Sequence, residues 1–119
     1  MARVLKPPSP LDMAAGERSV FLGGSIENPP FREQVEWELE AQERASAVAL
    51  YFSPPTKAPI TLLELGLLAR SGKLVVCCPD GYWRKGNVEV VCRRYGVPLL
   101  ATQADLLAEV RLRLGRLIA

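Results

Sequence analysis

The chain contains no histidine, only three cysteines, and no apolar run close to the length of a membrane span. Each shortage removes a class of chemistry. Without imidazole there is no Ser-His or Cys-His nucleophile pair, and Cys77, Cys78 and Cys92 lack the spacing of a metal-binding set. No metal site is expected. Cys77 and Cys78 lie side by side in an apolar run, which suits the inside of a strand in a reducing compartment. A membrane helix needs about 18 or more apolar residues, and the opening "MARVLKPPSPLDMAAGERS" has no signal-peptide apolar core. A cytoplasmic protein with no membrane contact is the expectation. Charge of one sign is also scarce: 15 basic residues face 13 acidic ones, a net charge of +2. A nucleic-acid polymer is not the expected partner, because such binders carry a concentrated basic face.

What is present reads as one domain, since 119 residues can bury a core without staples. Residues 1–18 carry Pro7, Pro8 and Pro10 without apolar periodicity and read as a flexible lead-in. A single α/β domain is expected over 19–119. "SVFLGGSIE" is a buried strand closed by Gly23, Gly24 and Ser25, a turn where backbone must come close to something. A tight strand-to-helix turn explains those glycines equally well. Asn28 and Pro29 open a helix over "PPFREQVEWELEAQERA". "AVALYF" is a strand covered on both faces, "SPPTKAP" a loop, and a helix from about Ile60 to Ser71 is closed by Gly72. "KLVVCCP" is the next strand, "DGYWRKG" a turn, Asn87 to Tyr95 a helix, "VPLL" a short strand, and a final helix begins near Thr102. Strands alternating with helices predict a flavodoxin- or Rossmann-like parallel sheet of about four strands with helices on both faces. Ligands of such sheets bind beyond the carboxyl ends of the strands.

Two carboxylates break the pattern. With about 100° per residue, the first helix turns Phe31, Val35, Leu39, Gln42 and Ala45 to the core. Glu33, Glu36, Glu40 and Glu43 fall on the solvated side, whereas Glu38 falls between Ala45 and Phe31. In the second helix Glu64 stands in the leucine run "TLLELGLL", between Leu67 and Leu68 on the wheel. Exposed helix positions or hydrogen bonds to neighbours would account for either acid singly. A buried carboxylate costs several kcal/mol unless partnered, so two of them flanking one strand call for a chemical reason. Cleavage of an N-glycosidic bond is one, since one acid meets the sugar carbon while the other manages the proton of the leaving base.

"FLGGSIE", "FREQVEWELEAQERA" and "SPPTKAPITLLELGLLARSGKLVVCCPDGYWRKGNVEVVCRRYGVPLL" together resemble the nucleoside 2-deoxyribosyltransferase superfamily, in its nucleoside 2-deoxyribosyltransferase-like branch. The resemblance covers most of Ser19 to Leu100. It implies an enzyme that cleaves or transfers the N-glycosidic bond of a nucleoside or nucleotide through a covalent glutamyl-sugar intermediate, without a cofactor. The glutamate of the "ELG" segment, Glu64 here, is the implied nucleophile. Glu38 stands as far ahead of it as the family's base-protonating acid. Asn87 in "RKGNV" matches an asparagine that reaches a neighbouring subunit's site, so a homo-oligomer is implied. Phe21, Gly23, Gly24 and Ser25 match the turn that lines the pocket, and Trp83 and Arg84 join the substrate-binding set. Arg84 with Lys85 would meet phosphate if the substrate were a nucleotide such as a nicotinamide dinucleotide, which an N-glycohydrolase would cleave.

Three departures qualify this. Ala58 stands where the transferases bind the sugar hydroxyl with aspartate, and Ser46 replaces the aspartate ahead of the third strand. Relatives also have a further helix and strand between "GSIE" and "NPPF", whereas here Glu27 is followed at once by Asn28. One βα unit is missing by this reading, which leaves the first strand nearer a sheet edge. A catalytically inactive nucleotide-binding or assembly module is the alternative that these departures motivate.

Overall fold

The computed structural model describes residues 3–7, 9–14, 16–24 and 32–116; Ser25, Asn28, Pro29 and Phe31 lie outside this set. Four strands, β1 (Val20–Gly24), β2 (Ala47–Tyr51), β3 (Leu74–Cys77) and β4 (Leu99–Leu100), alternate with four helices. These are α1 (Arg32–Arg44), α2 (Pro59–Leu68), α3 (Lys85–Tyr95) and α4 (Gln103–Arg116). The sheet is parallel throughout, in the order β1-β2-β3-β4, with Val20 opposite Ala47, Val48 opposite Leu74, and Val76 opposite Leu99. This is the flavodoxin- or Rossmann-like arrangement that the alternation predicts.

Because each strand joins the next in order, crossovers of one hand put α1, α2 and α3 on a single face. Side-chain alternation then splits the core in two. Val48, Leu50, Phe52, Leu74 and Val76 pack with Leu65, Leu68, Val88 and Cys92 of those helices and with Ala45 just past α1. Ala49, Val75 and Cys77 pack under Leu106 and Val110 of α4. Every residue of β3, and all of β2 but Tyr51, is therefore buried. At about 1.5–3 kcal/mol for each large apolar side chain removed from water, most of the stabilisation sits on these two strands.

β1 differs from the buried strand expected. It pairs only with β2, and Leu22, on the α4 side, is 73% exposed. An edge strand is what the missing βα unit implied. Along it lies the N-terminal segment: Arg3 ion-pairs with Asp12 (3.1 Å) and Glu17 (3.2 Å), Trp37 donates to the Ser9 carbonyl (2.6 Å), and Arg18 donates to the Leu114 carbonyl.

Two helix faces also differ from expectation. Val35 and Leu39 are about 40% exposed, and the buried residues of α1 are Ala41 and Gln42, followed by Ala45 just past its end, with Glu38 half-buried. The face is rotated by about 60° from the wheel reading: Gln42 is bound to Glu64 of α2, and the Val35–Leu39 side stays partly exposed. In α2 the buried residues are Thr61, Glu64, Leu65 and Leu68, while Leu67 is 57% exposed and does not flank Glu64 within the core. α2 stops at Leu68 rather than Ser71; the Ser71 amide closes a tight turn on the Leu68 carbonyl, and Gly72 takes the left-handed conformation after it. α3 begins two residues ahead of Asn87. Thr102 caps α4 through its hydroxyl and the Asp105 amide (3.1 Å).

Candidate functional site

Of the two carboxylates singled out by pattern, Glu64 lies at the carboxyl end of β1, and Glu38 is near enough for its charge to act on Glu64. α2 is anchored there by its first turn: the fully buried Thr61 hydroxyl donates to the Gly24 carbonyl (2.9 Å). One turn further along the same face, Glu64 lies over Gly23. A methyl group built on Gly23 would come 3.1 Å from Glu64 Oε1 and 2.6 Å from Leu50 Cδ2. Glycine is required at this point by close approach, not by turn geometry. Glu64 is 7% exposed, as are few carboxylates without a countercharge.

Its partner is a neutral amide. Gln42, 2% exposed on α1, donates from Nε2 to Glu64 Oε2 at 2.6 Å. Burial pushes the Glu64 carboxyl up to about 7, the Gln42 amide pulls against that, and the charge of Glu38 adds to the rise. Near neutrality Glu64 is thus close to half-ionised. Glu38, one turn before Gln42, accepts from the Gln34 amide (3.1 Å). Both acids therefore hold one amide donor, and α1 supplies both amides.

Glu38 also lines a cavity of about 1060 Å³ between α1, β1 and the N-terminal segment, walled by Phe21, Trp37, Ala41 and the stretch from Val4 to Pro7. Glu64 is not among the walls of this cavity. The compartment runs along the free edge of β1 from Arg18 to Leu22 and has Glu38 in its wall, whereas Glu64 packs against Gly23 beyond it.

The remaining sequence candidates make contacts with residues other than these two acids. Trp83 and Arg84 sit ahead of α3, where the Arg84 guanidinium stacks 4.3 Å from the indole centroid and Lys57 Nζ lies 5.3 Å from it. The Tyr82 hydroxyl (2.5 Å) and the Trp83 indole N–H (3.1 Å) both donate to the Lys57 carbonyl and pin the loop that leads into α2. Lys85 turns back to the Cys78 carbonyl and to Asp80. Asn87 is exposed on α3. Gly24 contributes its carbonyl to the anchoring of α2, and Ser25 lies outside the described residues. No cluster of three or more potential metal ligands occurs among the described residues.

Two of the departures acquire a physical meaning. Ala58 adopts φ 49°, ψ 54° at the start of α2 and is 2% exposed, its methyl within the core. The left-handed region favours asparagine and aspartate over alanine, so the backbone keeps a shape suited to the carboxylate that the side chain lacks. Ser46 precedes β2 at the opposite end of the sheet, where its hydroxyl accepts from the Ser19 amide (3.1 Å). Its exchange for aspartate does not touch the rim.

Gln42 is the residue that sequence reasoning missed. Its wheel position was on the core face, and a buried amide on that face, with an acid four residues before it, was the available signal.

A parallel α/β sheet with a buried acid and a half-buried one at its carboxyl rim defines the class of protein. The sequence profile of the nucleoside 2-deoxyribosyltransferase-like family matches residues 22–82, from the end of β1 through both acids to the loop after β3. The chain belongs to this family. No curated protein matches it.

Proposed function

We propose that this protein cleaves or transfers the N-glycosidic bond of a nucleoside or nucleotide, with Glu64 as nucleophile and Glu38 as the proton donor to the leaving base. The single observation that supports it is the burial of Glu64 at the rim with no countercharge among the described residues, held by an amide and facing bare glycine backbone. A carboxylate stripped of water is a stronger nucleophile, and an adjacent acid on the cavity side meets the departing base. In the first step an oxygen lone pair of Glu64 forms a bond to the anomeric carbon. The C–N bond breaks, its electron pair goes to the base nitrogen, and Glu38 supplies the proton. In the second step water or another base attacks the same carbon, the electron pair returns to the Glu64 carboxylate, and Glu38 takes up the proton. The anomeric configuration is retained.

Because the base leaves only from the state in which Glu64 is ionised and the pair's one proton sits on Glu38, the rate should fall as pH rises past about 7, where that proton is lost. The test is incubation with a deoxynucleoside and a second base, followed by chromatography of the bases. Exchange indicates transfer, and free base with sugar indicates hydrolysis. Glu64→Gln should lower either by about a thousandfold or more; retained turnover in this variant, or silence of the wild-type chain toward nucleosides and nucleotides, would leave the reading without support. The pairing of Lys57 and Arg84 on the Trp83 ring favours a phosphorylated substrate over a free nucleoside, since neither cation has a carboxylate partner among the described residues. The same assay run with nucleoside monophosphates tests that second reading.

A further inference from the structure

Glu64 has two oxygens, and the protein treats them differently. Oε2 is occupied by the Gln42 amide at 2.6 Å, whereas Oε1 faces the point where Gly23 lacks a side chain. Gln42 is itself held. The Lys73 ammonium donates to the carbonyls of Gln42 (2.5 Å), Glu43 (3.0 Å) and Ala45 (3.1 Å), and so fixes the last turn of α1 from which the amide projects. We propose that Gln42 is the positioning residue of this site: by holding Oε2 it presents Oε1, over Gly23, as the oxygen that meets the sugar. This rests on the proposed glycosyl chemistry.

The asymmetry suits both chemical steps. In the first, the lone pair of Oε1 forms the bond to the anomeric carbon while Oε2 stays hydrogen-bonded. In the covalent ester Oε2 becomes the carbonyl oxygen and still accepts from the amide. When the ester bond breaks, negative charge returns to the carboxylate, and the donor already in place stabilises it. A lysine at position 42 would hold the carboxylate more tightly, but as an ion pair it would suppress attack; a neutral donor orients without quenching.

Among the described residues, Glu38 and Gln42 of α1 act on the Glu64 carboxyl, and Gly23 of β1, with Phe21 and Leu50 around it, lies under Oε1. The charge of Glu38 acts in the direction opposite to Gln42. Removal of the amide should therefore leave Glu64 protonated to higher pH.

The experiment is the carboxyl titration of Glu64 by 13C NMR in protein labelled at glutamate, compared with Gln42→Met, which keeps side-chain length and removes the donor. Assignment uses Glu64→Gln. The midpoint in Gln42→Met should rise by about one to two pH units. If turnover is present, the alkaline limb of the rate profile should move up with it, and kcat at pH 6 should fall about tenfold or more, with KM changed less than threefold. A midpoint unchanged within a few tenths of a unit overturns the proposal, because lost packing alone would not move it upward. Should Gln42→Met fail to fold, Gln42→Asn, whose amide stops one methylene short, gives the same comparison. The titration needs no turnover, so an inactive wild-type chain would remove the proposed reaction while the role of Gln42 in holding Glu64 is still decided.

Discussion

Glu64 makes folding harder above neutrality. Its carboxyl titrates near 4.5 in an unfolded chain and at about 7 in the folded one, so between those values the folded state binds more protons. Stability attributable to this group is then complete below about pH 4.5, declines as pH rises, and is lost once pH passes 7. The full shift corresponds to a few kcal/mol, and partial screening by solvent reduces it to on the order of 1–2 kcal/mol. Glu64→Gln should accordingly melt about 3–8 °C higher than wild type at pH 8, with the gap closing toward pH 5. Calorimetry at the two pH values checks it. A variant that melts lower at pH 8 would mean the charge is stabilising, contrary to the burial argument. Gly23→Ala is a second residue-scale case. The added methyl meets fully buried Leu50 at 2.6 Å and Glu64 Oε1 at 3.1 Å, so it should destabilise by about 1–3 kcal/mol and close the approach to Oε1. Chemical denaturation gives the first number and the base-exchange assay the second. At this scale the two acids were legible in the sequence because charge is rare on a core face. Gln42 was not, because a neutral amide does not violate an apolar stripe and only its partner reveals it.

At the scale of elements, α1 carries both acid-holding amides, and its last turn depends on one lysine from outside the helix. Lys73 precedes β3 and offers its ammonium to three carbonyls that would otherwise be unsatisfied at a helix C-terminus. Lys73→Met should cost about 1–2 kcal/mol in urea unfolding, and should also blur the Gln42–Glu64 bond by loosening the turn beneath it. No change in the unfolding midpoint would show that water replaces the lysine without loss. The strands, their order of appearance and all four helices were readable from the alternation of apolar runs with Gly- and Pro-marked breaks. The faces of α1 and α2 were less so. A helical wheel counts apolar residues on the helix itself, whereas burial depends on what stands opposite, and Val35, Leu39 and Leu67 stay partly exposed among the described residues.

Across the whole molecule the sheet is lopsided: β2 and β3 are enclosed on both faces, and β1 is an edge with the N-terminal segment alongside. That segment closes the compartment lined by Glu38, in the place where relatives of this chain's branch carry more sheet by the resemblance read from sequence. Association is the matter that bears on the site at this scale. Asn87 and Val90 stand one turn apart on an exposed side of α3, and Val90 is 63% exposed. If Asn87 completes a neighbour's site, Val90 lies at the same contact, so the purified chain should sediment as a dimer or larger and Val90→Glu should return it to monomer. Sedimentation velocity measures both, and a monomeric wild-type chain would end the shared-site proposal.

Sequence by itself determined the parallel α/β architecture, since buried strands and amphipathic helices are written in local periodicity, and it marked Glu38 and Glu64 as carboxylates out of pattern. Only tertiary structure decided that Thr61 locks α2 to β1, that Glu64 rests on Gly23 with Gln42 as its donor, and that Val35, Leu39 and Leu67 remain uncovered. The physical reason is distance along the chain. Periodicity reports interactions within one turn or one strand, while a hydrogen bond between residues 42 and 64 exists only after two helices have packed on the same edge of a sheet.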